Sequence, residues 1–241
     1  MMDIEIQANG DNYIYICRTT DNSVFVVDPG NAAGVLAALD ARGERLTHIL
    51  LTHHHGDHTG GAAEIRYRMG CRVVGADPRQ IPLIDTVVSD KQEIAVGGLR
   101  IQILATPGHT RDSVCYYVPE QSGHPTPSVF TGDTLFVGGC GRVLECDAGT
   151  MWRSLCTLAA LPDSTQVYCG HEYSVENFRF ATKFFPNDPE YARRLAESQN
   201  TIRAGRPTVP STLSAEKRTN VFLRSGSAET FSHLRGLKDR F

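Results

Sequence analysis

The sequence contains no apolar run approaching the roughly 18 residues that a membrane-spanning helix needs, so an integral helical membrane protein is not expected. Its first residues, MMDIEIQANGDNYIYIC, lack the basic start, apolar core and small-residue cleavage site of a secretory signal. No two of the seven cysteines (Cys17, Cys71, Cys115, Cys140, Cys146, Cys156 and Cys169) stand at CxxC spacing, and their number is odd. A disulfide framework is therefore not expected, and a reducing compartment, the cytoplasm, is the expected location. There is no internal repeat and no low-complexity tract. A monomer without membrane or nucleic-acid partners is the expected form.

What is present suits one large domain, or a domain with an appendage. The 241 residues are 41% hydrophobic and 21% charged, enough apolar side chain for a real core and too much for disorder. The net charge of −3 is uneven, because residues 201–241 carry eight basic side chains against three acidic ones. Such a run is commonly a solvated helical surface. It would also serve as a basic rim for a small anion. Nucleic acid fits less well, since the basic residues alternate with Gly, Ser and Thr and lack interleaved aromatics.

Short runs dense in Val, Ile, Tyr and Phe predict strands over residues 13–18, 23–28, 47–51, 72–76, 99–106, 114–118, 128–131 and 166–169. Helical patterns fall at 31–42, 62–69 and 150–160, the last ending before Leu161-Pro162-Asp163. After about residue 172 the strand signals stop. Residues 175–185 read as a helix, and Asp188-Pro189-Glu190 supplies a cap, a proline at the first helical position and an early acid for a second helix to about Arg203. Residues 206–211 read as a loop, with shorter helices after it. The division expected is 1–172 as an α/β domain and 173–241 as a small helical one.

Residues 52–61 read Thr-His-His-His-Gly-Asp-His-Thr-Gly-Gly, four of the chain's nine histidines, directly after a predicted strand. His53 and His55 stand two apart, on one side of an extended segment. Asp57 and His58 follow, where Gly60-Gly61 lets the chain turn into a helix. His54 is a spacer on this reading. Three further predicted strands end in the same way, at Pro107-Gly108-His109, Gly132-Asp133 and Gly170-His171. Strand ends of an α/β sheet can converge on one edge, where sites are built. Five imidazoles and two carboxylates exceed one catalytic ion's roughly three protein ligands and suit two ions sharing a carboxylate. Two close metals can hold a bridging hydroxide as nucleophile while one polarises the carbonyl under attack. A dinuclear metallohydrolase is the expectation, with zinc first and iron or manganese compatible with the same donors.

The string His53-x-His55-x-Asp57-His58, followed by His109, Asp133 and His171, resembles the metallo-β-lactamase superfamily. The resemblance implies a four-layer αβ/βα sandwich with the metals at one edge. It implies that His53, His55 and His109 hold the first metal, that Asp57, His58 and His171 hold the second, and that Asp133 bridges them. Asp57 and Asp133 would then be the catalytic carboxylates.

Within that superfamily the chain looks like the glyoxalase II group, the hydroxyacylglutathione hydrolases. The strings carrying this are Asp11-Asn12-Tyr13, residues 130–136 (FTGDTLF), Gly139-Cys140-Gly141-Arg142, Gly170-His171-Glu172-Tyr173, residues 220–224 (NVFLR) and residues 235–241 (RGLKDRF). The resemblance implies hydrolysis of S-(2-hydroxyacyl)glutathione, above all S-D-lactoylglutathione, in the second step of methylglyoxal detoxification. It further implies that Arg142, Tyr173, Arg235 and Lys238 grip the glutathione. A thiolate whose conjugate acid has a pKa near 8.5 leaves without a general acid, and none is evident here. The sequence departs from the group at Leu144 and Cys146, where an aromatic and Glu-Gly are usual. Cys140 and Cys169, close to ligand candidates, read as small buried residues. The alternatives are an iron-dependent dioxygenase of glutathione persulfide, a lactonase on the same scaffold, and a non-catalytic glutathione- or metal-binding module.

Overall fold

The computed structural model describes residues 2–241. Two six-stranded sheets face each other. The first is built, in order, from β1 (Asp3–Asn9), β2 (Asn12–Arg18), β3 (Val24–Val27), β4 (Leu46–Leu50), β5 (Arg72–Gly75) and β6 (Thr86–Val87). Its β1–β2–β3 part is antiparallel and its β3–β4–β5–β6 part parallel. The parallel crossovers carry α1 (Ala32–Arg42), then α2 (Gly56–Thr59) with α3 (Ala62–Met69).

Period-two alternation sorts the side chains of this sheet between two cores. Along β2, Tyr13, Tyr15 and Cys17 join Phe25, Val27, Ile101, Ile103, Tyr116 and Phe130 in the cluster between the sheets. Ile14 and Ile16 turn the other way, against Val35, Leu36 and Leu39 of α1 and Ile65 of α3. Every residue of β2 is therefore buried, which explains the run Tyr13–Cys17 without a charged side chain.

The second sheet runs β7 (Glu93–Val96), β8 (Leu99–Ala105), β9 (Val114–Val118), β10 (Ser128–Gly132), β13 (Gln166–Cys169), β14 (Ser211–Thr212). A hairpin of β11 (Leu135–Phe136) and β12 (Gly139–Cys140) lies between β10 and α4 (Ala148–Ala159). The C-terminal part holds α5 (Ser174–Phe184), α6 (Pro189–Arg203), α7 (Leu213–Thr219) and α8 (Ala228–Asp239). The cap expected for α6 is present, with Asp188 accepting from the Glu190 amide and Pro189 opening the helix. No helix among the described residues is long and apolar enough to cross a membrane.

Strand structure does not stop at residue 172. Ser211 and Thr212, expected in or beside a loop, pair with β13 as the outer strand of the second sheet. The segments absent from the sequence reading are β1, β6, β7, β14 and the small hairpin. The first four are the four sheet edges. They are half-exposed or only two residues long, and a neighbour's open edge defines them more than their own composition does.

Candidate active site

The histidine motif begins as β4 ends and passes into α2, at one edge of the sandwich. The Gly60-Gly61 pair is needed for a different reason from the turn expected of it. Both glycines have negative φ. A Cβ on Gly60 would meet the Gly30 carbonyl at 2.7 Å, and one on Gly61 the Ala32 amide at 2.5 Å. The two glycines let the motif lie directly on the β3–α1 loop. Gly170 does the same at the end of β13, where a Cβ would meet Asp133 Oδ1 at 2.4 Å.

All seven ligand candidates converge. His55 Nδ1 lies 3.1 Å from His53 Nε2 and 3.0 Å from His109 Nε2. His58 Nε2 is 3.3 Å from His171 Nε2, and Asp57 Oδ2 is 3.7 and 3.5 Å from those two nitrogens. Asp133 stands between the two groups, its Oδ2 3.3 Å from both His109 Nε2 and His171 Nε2, and its Oδ1 3.3 Å from His58 Nε2. Metal–ligand bonds of about 2.0–2.1 Å place neighbouring donor atoms about 3.0–3.4 Å apart, so most of these separations are those of a filled coordination shell.

The hydrogen bonds behind the cluster show that it has more lone pairs than protons. The Thr52 hydroxyl donates to Asp28 Oδ2 at 2.6 Å, so it can only accept from His53 Nδ1, 3.0 Å away. His109 Nδ1 donates to the Arg142 carbonyl at 2.9 Å. With a neutral ring whose proton sits on Nδ1, each presents a bare Nε2 to His55 Nδ1, which has at most one proton to offer. His58 Nδ1 faces Asp28 Oδ2 at 2.9 Å, and this carboxylate–imidazole pair orients a ligand ring. Asp133 Oδ1 is buried without a hydrogen-bond partner. Such a donor set fits a pair of divalent cations.

Electrostatics agree. Burial, with His58 and the other imidazoles, holds His53 well below the usual histidine range, and burial with His109 lowers His55. Both shifts favour the neutral imidazole, the form that can bind a metal. His58 is raised well above that range despite its burial, because Asp28 and Asp133 favour positive charge beside them. Asp133 is itself held far down against its burial, by His171 and His58. Asp57 is lowered, burial being outweighed by His58 and by Asn12, whose Nδ2 donates to Oδ2 at 3.2 Å.

Arg142, Tyr173, Arg235 and Lys238 come together as well. With His109, Asp133, Phe136, Cys140, Glu176 and Asn177 they line one cavity of about 380 Å³. Tyr173 stacks on His171 with the planes 3° apart. Arg235 and Lys238 are buried on α8 rather than frayed at the chain's end. The Arg142 guanidinium is largely exposed, while its carbonyl fixes His109. The basic rim anticipated from the C-terminal charge reduces to these two residues of α8. Others of that charge run lie away from the cavity, with Arg224 on Asp188 and Lys217 on Asp163.

One expectation changes. His54 is more than a spacer: its Nδ1 is 2.8 Å from Asp112 and its Nε2 3.5 Å from Glu145, so it braces three loops around the cluster. Leu144 is exposed and does not line the cavity. Cys140 and Cys169 are buried as expected, and burial pushes their thiols up to about 11 and about 12, away from thiolate ligation. Asp28 and Glu176 were missed. Asp28 had a signal, since Asp28-Pro29-Gly30 closes an apolar run as the other site segments do. Glu176 had none.

The metallo-beta-lactamase superfamily model matches residues 8–80 and 71–171, and the model for the hydroxyacylglutathione hydrolase C-terminus matches residues 172–241. The hydroxyacylglutathione hydrolase of Chromohalobacter salexigens is 44% identical, over 99% of this chain and 98% of its own length. That of Ectopseudomonas mendocina is 42% identical, over 98% of each. The crystal structure of ETHE1 from Myxococcus xanthus superposes with a TM-score of 0.71 at 28% identity, covering 98% of this chain and 90% of that one. The chain thus belongs to the hydroxyacylglutathione hydrolase family, within the metallo-β-lactamase superfamily.

Proposed function

We propose that this chain hydrolyses S-(2-hydroxyacyl)glutathione, S-D-lactoylglutathione above all, to the hydroxy acid and glutathione. The observation that carries the reading is a single cavity. It is lined both by His109 and Asp133 of the ligand cluster and by Arg235 and Lys238 of α8. A small thioester with polar ends fits such a cavity, its carbonyl at the cluster and its glutathione part toward α8. Residues 1–172 on this reading carry the chemistry, and 173–241, together with Arg142, the substrate contacts.

His53, His55 and His109 would hold one divalent ion, Asp57, His58 and His171 the other, with Asp133 shared. Zinc is the first choice, and iron or manganese suits the same donors. When bound, the ions supply Lewis acidity toward the thioester carbonyl and acidify water to a nucleophile at neutral pH. The chain's own residues do the positioning. Thr52, Asp28 and the Arg142 carbonyl fix which nitrogen of His53, His58 and His109 faces the other donors of the cluster. Asn12 holds Asp57 Oδ2 next to His58 and His171, where it can orient the attacking water. Tyr173, stacked on His171, covers that side of the reacting atoms. The glutathione thiolate leaves unprotonated. Seven unpaired cysteines accord with the cytoplasm as its place of work.

Replacing both Arg235 and Lys238 by alanine tests the substrate assignment. Loss of charged hydrogen bonds worth about 1.5–3 kcal/mol each is expected to raise KM for the thioester by roughly tenfold or more, with kcat changed little. An unchanged KM would remove α8 from the binding site.

A further inference from the structure

The two buried cations of the cavity are already matched with acids. Arg235 gives Nε and Nη2 to Asp239 Oδ1 at 3.1 and 2.9 Å, and Nη1 to the Cys140 carbonyl at 2.9 Å. Lys238 Nζ lies 2.5 Å from Glu176 Oε1. The members of this second pair differ in setting. The Lys238 side chain is 6% exposed and lies over the rings of Phe180 and Phe241, whereas that of Glu176 is 62% exposed. The ammonium is fixed in the wall and the carboxylate stands at the mouth, in the first turn of α5. An acid in that turn also suits the helix dipole. The dipole does not require it to line the cavity and hold the lysine there.

For an incoming ligand the pair is one donor beside one acceptor. A carboxylate has only acceptors to offer. Seated on Lys238, it must share the ammonium with Glu176, like charge against like, or push Glu176 into solvent. A carboxamide meets both groups: its carbonyl accepts from Lys238 Nζ and its N–H donates to the Glu176 carboxylate. Repulsive elements of this kind set specificity as much as attractive ones do.

We propose that Lys238 and Glu176 form a carboxamide-accepting subsite. The enzyme then takes hydroxyacyl thioesters of a glutathione with one carboxylate amidated at least as readily as those of the diacid. The inference rests on the thioester-hydrolase reading above, and Glu176 is the residue that sets the preference. Amides linking that carboxyl to an amine or a further residue present the same carbonyl and N–H, so conjugates of this class belong to the subsite too.

The test compares kcat/KM for S-D-lactoylglutathione and for its two monoamides, with the wild-type protein and with Glu176→Gln. Glutamine keeps the size and removes the charge at an exposed position, so the fold is not at issue. For one monoamide the amide-to-acid ratio is expected to fall about fivefold or more in the variant, through KM. Ratios unchanged within about twofold for both monoamides would overturn the proposal. Calorimetric binding of S-methylglutathione and its monoamides separates the two levels. If no thioester is cleaved but the binding ratio still shifts with Glu176→Gln, the subsite stands and the hydrolase reading falls. Binding without a shift overturns the subsite, and no binding at all overturns both.

Discussion

Asp28 accepts three hydrogen bonds, from the Thr52 amide, the Thr52 hydroxyl and the His58 imidazole, from a buried position with a left-handed backbone. Directly for His58, and through Thr52 for His53, it decides how two rings of the cluster point. Asp28→Asn is expected to weaken metal affinity by about 10–100-fold, read by competition with a chromophoric chelator. Asp133→Ala removes the carboxylate between the two groups and is expected to lose at least one metal by elemental analysis and about 10³-fold or more in turnover. Two metals retained and a near-normal rate would end the dinuclear reading. Ligand candidates were legible because histidines are few and four strand ends repeated one pattern. The supporting roles of Asp28 and Asn12 were not, although Asp28 closes an apolar run as the other site segments do, because those roles depend on which loops the fold sets side by side.

Among the elements, α7 shows how the C-terminal part is tied to the site. Its Glu216 is fully buried and takes donors from Arg194 of α6 at 3.1 Å, Gly138 of the β11–β12 hairpin at 2.8 Å, Asn220 at 3.1 Å and Ser211 of β14 at 2.5 Å. That hairpin leads into Cys140, Gly141 and Arg142 of the cavity wall. Glu216→Ala takes the acceptor from the half-buried Arg194 guanidinium, the Gly138 amide and the Ser211 hydroxyl, and leaves Asn220 only its carbonyl partners. It is expected to cost about 3–5 kcal/mol in urea unfolding, and a loss below about 1 kcal/mol would show that the network does not anchor α7. Central strands and capped helices were readable from two-sided burial and from Asp188-Pro189. The edge strands were not, because β14 pairs only where β13 has an open edge for it.

At the scale of the molecule, one edge of the sandwich gathers residues from seven segments between Asn12 and His171, and α8 closes the cavity over them. Packing several bare imidazole nitrogens together makes bound cations part of the fold's stability. Exhaustive chelation is expected to lower Tm by about 10 °C, restored by adding metal back, and an unchanged Tm would separate the cluster from stability. The architecture, and the gathering of the seven ligand candidates at one place, followed from the sequence. The pairing of the cavity's cations with Glu176 and Asp239 did not, because charge counts say nothing of partners. The most direct measurement is steady-state turnover of S-D-lactoylglutathione by the metallated protein, beside a simple lactone and glutathione persulfide under air. Fast thioester cleavage without oxygen uptake or lactone opening is the expected result. A fully metallated protein that leaves the thioester intact would contradict the proposed function.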